Sequence, residues 1–90
     1  MTDFYMIHVV PKLGISQERV EQRMNLALEW FRFDRNLWIV YTTSDSARWF
    51  ARLSPLVKPT GSLFICRLDV TKRHGWFNKE LWTWIRSKKS

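Results

Sequence analysis

The stretch ALEWFRFDRNLWIVYTT, residues 27–43, carries the pattern that determines the fold. Large apolar and aromatic side chains lie on both sides of the polar triplet Asp34-Arg35-Asn36, whose residue types favour a turn. The flanking segments Glu29–Phe33 and Leu37–Thr43 are rich in aromatic and β-branched residues, which favour strands. Because the triplet has the length of a short hairpin loop, the stretch predicts two neighbouring antiparallel strands.

Upstream of the hairpin, the sequence predicts a strand followed by a helix. Phe4–Val10 is an almost continuous apolar run closed by Pro11, which is typical of a buried strand. Ser16 is suited to cap the next helix, which we expect to end near Leu28. The expected inward stripe of this helix consists of Val20, Met24, Ala27 and Leu28.

Downstream, the pattern predicts a second helix, a turn, a strand and a short terminal helix. Ser44 or Asp45 is suited to cap the second helix, which we expect to end at Pro55 with Ala47, Phe50 and Ala51 facing inward. We expect residues 58–61 to form a turn and residues 62–70 to form the last long strand. Asn78 can cap the terminal helix, whose small apolar face contains Leu81, Trp84 and Ile85.

This order predicts an α+β, ferredoxin-like βαββαβ fold, a four-stranded antiparallel sheet with two helices on one face and a short C-terminal helical appendix. The length of 90 residues allows one domain and one core. We expect residues 1–90 to form a single ferredoxin-like domain, with a core in residues 3–70 and a Trp-rich C-terminal segment in residues 71–90.

The helix-free face of this sheet is expected to be apolar. Alternation places Leu63 and Ile65 on it, together with either Trp38 and Val40 or Ile39 and Tyr41. Three covers are conceivable: a second copy of the chain, the C-terminal segment, or the bases of a single nucleic-acid strand. We favour a homodimer assisted by the C-terminal segment, with the ordinary core as the alternative. The predicted dimer or partner interface consists of Trp38, Val40, Leu63, Ile65, Trp76 and Trp82.

The charge balance points to a polyanionic partner. The formal net charge is +7 and the sequence pI is about 10.2, values that favour RNA or DNA but also fit a solvated basic surface. Arg48 also lies three residues after Asp45 and could form only a surface pair with it. The predicted phosphate-binding residues are Arg32, Arg35, Arg48, Arg52, Lys72, Arg73 and Arg86, with Lys88 and Lys89 adding charge to the tail.

The single cysteine and the N-terminus bear on localisation. Cys66 lies within an apolar run and predicts a small buried hydrophobe, with no disulfide or metal site. The N-terminus lacks the features of a signal peptide, and no apolar run is long enough to cross a bilayer. We therefore expect a cytoplasmic protein without membrane association.

Two segments resemble a known family. NLWIVYTTSDSARWFARLSPLVKPTGSLFICRL, residues 36–68, and GWFNKELWTWI, residues 75–85, resemble the small SinR-type proteins. These are ferredoxin-fold relatives of the CRISPR-associated spacer-acquisition protein and, more distantly, of the VapD-type toxins. The resemblance implies a ferredoxin-like fold, a homodimer and association with nucleic acid. In nuclease members it implies a metal-dependent phosphodiesterase that uses an Asp near the end of the first strand.

The sequence departs from that nuclease pattern. Residues 4–17 contain no Asp or Glu, and His8, Val9 and Val10 occupy the expected place, while Asp3 lies at the other end of the strand. We therefore predict no catalytic residue, no metal site and no cofactor. The leading hypothesis is a non-catalytic homodimer that binds the phosphate backbone without strong sequence preference. A metal-dependent or toxin-like ribonuclease and a protein-interaction module from a phage or mobile element are the alternatives.

Overall fold

The computed structural model describes residues 1–89 and has an α+β fold. Strands and helices follow one another along the chain in this order: β1 (Asp3–Val10), α1 (Gln17–Met24), β2 (Glu29–Asp34), β3 (Leu37–Thr42), α2 (Ser46–Val57), β4 (Ser62–Leu68) and α3 (Lys79–Lys89). Each element overlaps a segment predicted from the sequence. The α+β class is therefore confirmed.

The four strands form one antiparallel sheet in the order β2-β3-β1-β4. On the central strand β1, Ile7 lies opposite Trp38 of β3 and opposite Ile65 of β4. The predicted hairpin is confirmed as β2 and β3. Asp34 belongs to β2, however, and the pairing shifts between Arg32 and Asp34, as at a β-bulge.

Helices α1 and α2 cover one side of the sheet, which we call the first face. A single buried cluster joins the two layers, with Tyr5, Ile7, Val9, Trp38 and Val40 from the strands and Val20, Met24, Trp49, Leu53, Leu56 and Val57 from the helices. The predicted caps are confirmed: Ser16 and Asp45 accept hydrogen bonds from the third backbone N–H that follows each of them.

The inward stripes of both helices differ from the prediction. α1 ends at Met24, so Leu28 lies beyond the helix and is exposed, while Ala27 is only half-buried. The face that α2 buries consists of Trp49, Leu53, Leu56 and Val57, and the predicted set Ala47, Phe50 and Ala51 is exposed. Both sets have helical spacing, but the first offers far more apolar area, so its burial is favoured.

Pro55 lies within α2 and does not end it. The residue has no backbone N–H, so the helix loses one hydrogen bond in its last turn. Leu56 and Val57 follow it and are both buried, and their burial offsets that loss. The turn after α2 is confirmed, and Gly61 is required there because a Cβ would meet the carbonyl oxygen of Val57 at 2.9 Å.

The C-terminal helix α3 covers part of the opposite side of the sheet, which we call the second face. Phe4, Ile39, Val70, Leu81 and Ile85 form its buried cluster. The predicted cap is confirmed, since Asn78 Oδ1 accepts a hydrogen bond from the Leu81 N–H at 3.2 Å. The C-terminal segment is therefore the cover for much of this face.

The predicted orientation of four apolar strand residues is wrong. Trp38 and Val40 lie on the first face and are fully buried, and Leu63 and Ile65 pack against the same cluster. The error has a simple cause: both alternating sets on these strands are apolar, so alternation alone does not identify the side that meets the helices. A sheet-on-sheet contact through these four residues is excluded, because α1 and α2 occupy that side.

A polar contact on β2 also holds α3. Glu29 accepts a hydrogen bond from Trp84 Nε1 at 3.0 Å and pairs with Lys88 Nζ. These contacts, Lys88 first, lower the pKa of the Glu29 carboxyl below its ordinary value.

Among residues 1–89, no helix has the length and apolar character that crossing a membrane requires.

Candidate nucleic-acid interface

The predicted phosphate-binding residues fall into two groups on opposite sides of the sheet. Arg32, Arg48 and Arg52 lie on the side of α1 and α2, and Arg35 lies at the tip of the hairpin. Lys72, Arg73 and Arg86 belong to the segment that carries α3. The structure therefore does not bring the predicted set into one site, and each group has to be judged separately.

Two arginines of the helix side support packing. The Arg52 guanidinium lies 4.8 Å from the centroid of the Trp49 ring, and the Arg52 carbonyl accepts a hydrogen bond from Arg23 Nε. Arg32 stacks on Trp38 at 5.0 Å and donates to Gln17 Oε1 at 2.8 Å. Both side chains are half-buried, and Arg32 Nε and Arg52 Nη1 are buried with no hydrogen-bond partner in the described part of the chain, so these guanidinium groups are only partly open to a phosphate.

Arg48 is exposed on α2, and its relation to Asp45 is not a side-chain pair. Asp45 Oδ1 accepts from the backbone N–H of Arg48 at 2.9 Å, as an N-cap. In the described part of the chain, the salt bridges are Asp3–Arg67 and Glu29–Lys88. The Arg48 guanidinium is therefore a solvated cation in the helix layer.

The C-terminal segment is fixed to β2 by stacked rings. The centroids of Phe77 and Phe33 lie 4.4 Å apart, with the ring planes inclined by 11°. Trp82 on α3 donates through Nε1 to the carbonyl oxygen of Phe77 at 3.2 Å. Trp76, between the anchored Phe77 and Gly75, is fully exposed. The exposed ring thus projects from a loop whose next residue is held against the sheet.

Two adjacent hollows lie along this segment. The larger, of about 550 Å³, is lined by Gly75, Trp76, Phe77, Asn78, Lys79 and Trp82. The smaller, of about 290 Å³, is lined by Arg73, His74, Gly75, Trp82 and Arg86. Trp82 and Gly75 border both, so the two hollows meet at this ring. We call the pair the C-terminal site.

The electrostatics of the C-terminal site are one-sided. Arg73 Nη1 donates to the Val70 carbonyl at 2.6 Å, and Arg86 Nη2 approaches Thr83 Oγ1 at 3.4 Å. Both partners are neutral, and no carboxylate of residues 1–89 lines either hollow. In these contacts neither guanidinium is paired with a carboxylate, so each has further donors for an anion. Lys72 is exposed in the loop before the site, and the side chain of Lys89 lies outside what the structure describes.

The remaining candidate chemistry is scattered. His8 is half-buried on the second face, opposite Leu37 and Phe64, and Asp3 pairs with Arg67 at 3.6 Å. Cys66 is exposed on this face, so its predicted burial is wrong. The part of the chain that the structure describes holds no cluster of three or more potential metal ligands.

Of the predicted interface residues, Trp76 and Trp82 keep surface area in the C-terminal site, whereas Trp38 and Val40 have none. Sequence reasoning missed Gly75 and Lys79 as part of this site. Gly75 admits the edge of the Trp82 ring, because a Cβ there would lie 3.2 Å from Trp82 Cη2. The local sequence signal was the alternation of basic and Trp residues between positions 72 and 86.

Comparison with known proteins adds no relative. No protein-family model matches the chain. No curated protein and no solved structure matches it with significance.

Proposed function

We propose that this protein associates with nucleic acid by sequence-independent contacts to the phosphate backbone, and that the C-terminal site makes the principal contacts. The observation that carries this proposal is the pair Arg73 and Arg86, whose guanidinium groups meet only neutral oxygens. A surplus of positive charge over the whole chain, +7, would add long-range attraction for a polyanion. The proposed role is binding, without hydrolysis.

We further propose that the fold is of the ferredoxin-like class and that the chain is related to the SinR-type proteins. The central position of β1, between β3 and β4, and the packing of α1 and α2 on one face support the first point. The second rests on the resemblance of residues 36–68 and 75–85. An exposed thiol at Cys66 is compatible with a reducing, cytoplasmic location.

The test is binding to a short duplex over a series of salt concentrations. Each phosphate contact by a cation contributes about 0.9 to the slope of log affinity against log salt on duplex DNA, so the double variant Arg73→Gln, Arg86→Gln should lower the slope by about 2. Arg48→Gln is the matched control, since this exposed arginine lies in the helix layer. We expect its slope to stay close to that of the parent chain.

Absence of binding at low salt, or an affinity that does not change with salt, would contradict the proposal. A control variant that lowers the slope as much as the double variant would move the contact to the helix side. Circular dichroism of each variant shows whether the fold is retained.

The homodimer stays a prediction. The sheet-on-sheet part of the contact predicted for it is not available, because Trp38 and Val40 are buried under α1 and α2, whereas Trp76 and Trp82 of the predicted interface keep exposed surface. Sedimentation velocity across a hundredfold range of concentration measures the oligomeric state directly. A single monomeric species throughout that range would end the homodimer hypothesis.

A further inference from the structure

The larger hollow of the C-terminal site combines an exposed aromatic ring with neighbouring cations. This combination fits unpaired nucleotides, which offer a flat base and a phosphate within one unit. We propose that the C-terminal site binds single-stranded nucleic acid, with a base stacked on Trp76 beside Trp82 and the adjoining phosphates on Arg73 and Arg86. This inference rests on the proposed function and specifies the kind of strand that is bound.

The exposure of Trp76 follows from the contacts that hold the next residue of the loop. Its neighbour Phe77 is stacked on Phe33, and the Phe77 carbonyl accepts the hydrogen bond of Trp82 Nε1. The backbone on the C-terminal side of Trp76 is therefore fixed to two elements, while the Trp76 ring is 100% exposed. A large apolar ring held in water in this way favours an aromatic partner.

Trp82 also lines the hollow, and contacts within the fold fix its position. Its Nε1 donates to the Phe77 carbonyl, and its ring edge lies so close to Gly75 that a Cβ there would make a tight contact of 3.2 Å with Cη2. A fixed ring loses little conformational entropy on binding, which strengthens stacking. The hollow has a volume of about 550 Å³ and is bordered by both indole rings.

Charge complementarity selects the occupant. Arg73, His74 and Arg86 line the smaller hollow, which shares Trp82 and Gly75 with the larger one. A base in the larger hollow would thus have its phosphate next to two guanidinium groups. Lys79 adds a third cation at the rim of the larger hollow. An uncharged aromatic ligand would use the rings but leave these cations unpaired.

A duplex satisfies only half of this site. Its phosphates can contact Arg73 and Arg86, but its bases are stacked within the helix and present no free face to Trp76. A single strand has both groups available. The structure therefore predicts tighter binding of a single strand than of a duplex at equal salt and equal length.

The experiment compares three labelled probes by fluorescence anisotropy: a 12-nucleotide oligothymidine, a backbone of the same length with abasic sites, and a 12-base-pair duplex. Loss of one stacked base costs about 1–3 kcal/mol. Since 1.36 kcal/mol corresponds to tenfold, we expect Trp76→Ala to bind oligothymidine about 5- to 160-fold more weakly. Its affinities for the duplex and the abasic backbone should change less than about twofold, because those probes have no base to stack.

Two further variants sharpen the result. Trp76→Phe keeps an aromatic face and should restore most of the lost affinity. Phe50→Ala removes another exposed ring, on α2, and should leave all three affinities unchanged. Because residues 76 and 50 are exposed, we expect both variants to fold as the parent chain does, and circular dichroism checks this.

The outcomes separate this inference from the proposed function. Salt-dependent binding of the duplex with no preference for oligothymidine over the abasic backbone would overturn the stacking inference and leave phosphate binding standing. Absence of binding to all three probes would overturn both. Equal Trp76-dependent binding of an acidic polyglutamate peptide would also overturn it, in favour of a protein partner.

Discussion

The two faces of the sheet are covered in different ways. On the first face, α1 and α2 enclose an unbroken cluster in which Ile7, Val40 and Leu53 have no exposed surface. On the second face, α3 packs over β2, β3 and the start of β1, and leaves Phe64 57% exposed on β4. The first face therefore holds the continuous buried core, whereas the second face is only partly covered.

The chemistry of the two covers also differs. Aliphatic side chains, Met24, two buried indoles and the Tyr5 ring fill the first face. Rings in edge or tilted contact dominate the second: Phe4 lies 5.7 Å from Trp84, and Phe31 lies 5.8 Å from Trp84. The many rings of residues 27–43 are thus divided between two layers, with Trp38 under the helices and Phe33 under the C-terminal segment.

The largest effect is expected from breaking the first face. Trp49 is fully buried, and its Nε1 donates to Thr42 Oγ1 at 3.3 Å. Trp49→Ala should lower the free energy of unfolding by about 3–5 kcal/mol, because it removes a large buried ring and leaves a cavity. Phe50→Ala, one residue along, is the control and should change it by less than about 1 kcal/mol. Urea denaturation measures both, and equal losses would contradict the assigned helix orientation.

A mutation on the second face should cause local unfolding of α3. Leu81 lies on the buried side of α3. Leu81→Ala should therefore lower the free energy of unfolding by about 2–3 kcal/mol and destabilise this helix first. Hydrogen exchange should show faster exchange of the α3 amides, while the amides of β1 retain most of their protection. Uniform loss of protection over the whole chain would show that the two faces unfold as one unit.

A pair of neighbours on β4 tests which side faces the helices. Ile65 packs against the first-face cluster, whereas Cys66 is exposed on the second face. Ile65→Lys should cost about 1–2 kcal/mol, less than a fully buried site, because the long side chain can extend its charge to water. Cys66→Lys should cost less than about 0.5 kcal/mol. A larger loss for Cys66→Lys than for Ile65→Lys would show that Cys66, and not Ile65, faces the helices.

The smallest effect concerns the ion pair on the second face. The pKa of Glu29 is lowered in the folded chain by Lys88, so its contribution to stability is present above the ordinary value of 4.5 and is lost as pH falls through the folded pKa. Glu29→Gln should lower Tm slightly at pH 7, and the difference should shrink as pH falls below 4.5. Glu21→Gln, with no ion pair among residues 1–89, should show no such closing gap.

Local features of the fold could be predicted from the sequence. The hairpin of β2 and β3 and the caps Ser16, Asp45 and Asn78 depend on residues within a few positions of one another, and all are confirmed. The end of α1 and the continuation of α2 through Pro55 were missed. Both depend on what the next residues bury in the folded chain, which propensity does not contain.

Non-local features could not be predicted. The choice of side for Trp38 and Ile65 depends on which apolar set meets the helices, and alternation is the same for both sets. The C-terminal site depends on the stacking of Phe77 on Phe33, which lies 44 positions earlier in the sequence (77 − 33). The basic and Trp-rich composition of the segment indicated where candidate binding residues lie, but their arrangement around Trp82 depends on the fold.

The chain position of α3 has a consequence for biosynthesis. Because α3 follows β4, the ribosome completes all four strands before it makes the helix that shields the second face. During that interval Phe4, Ile39 and Phe31 are open to other nascent chains and to chaperones. Slow translation of residues 69–89 would therefore raise the risk of aggregation, even though α3 covers much of these side chains in the folded protein.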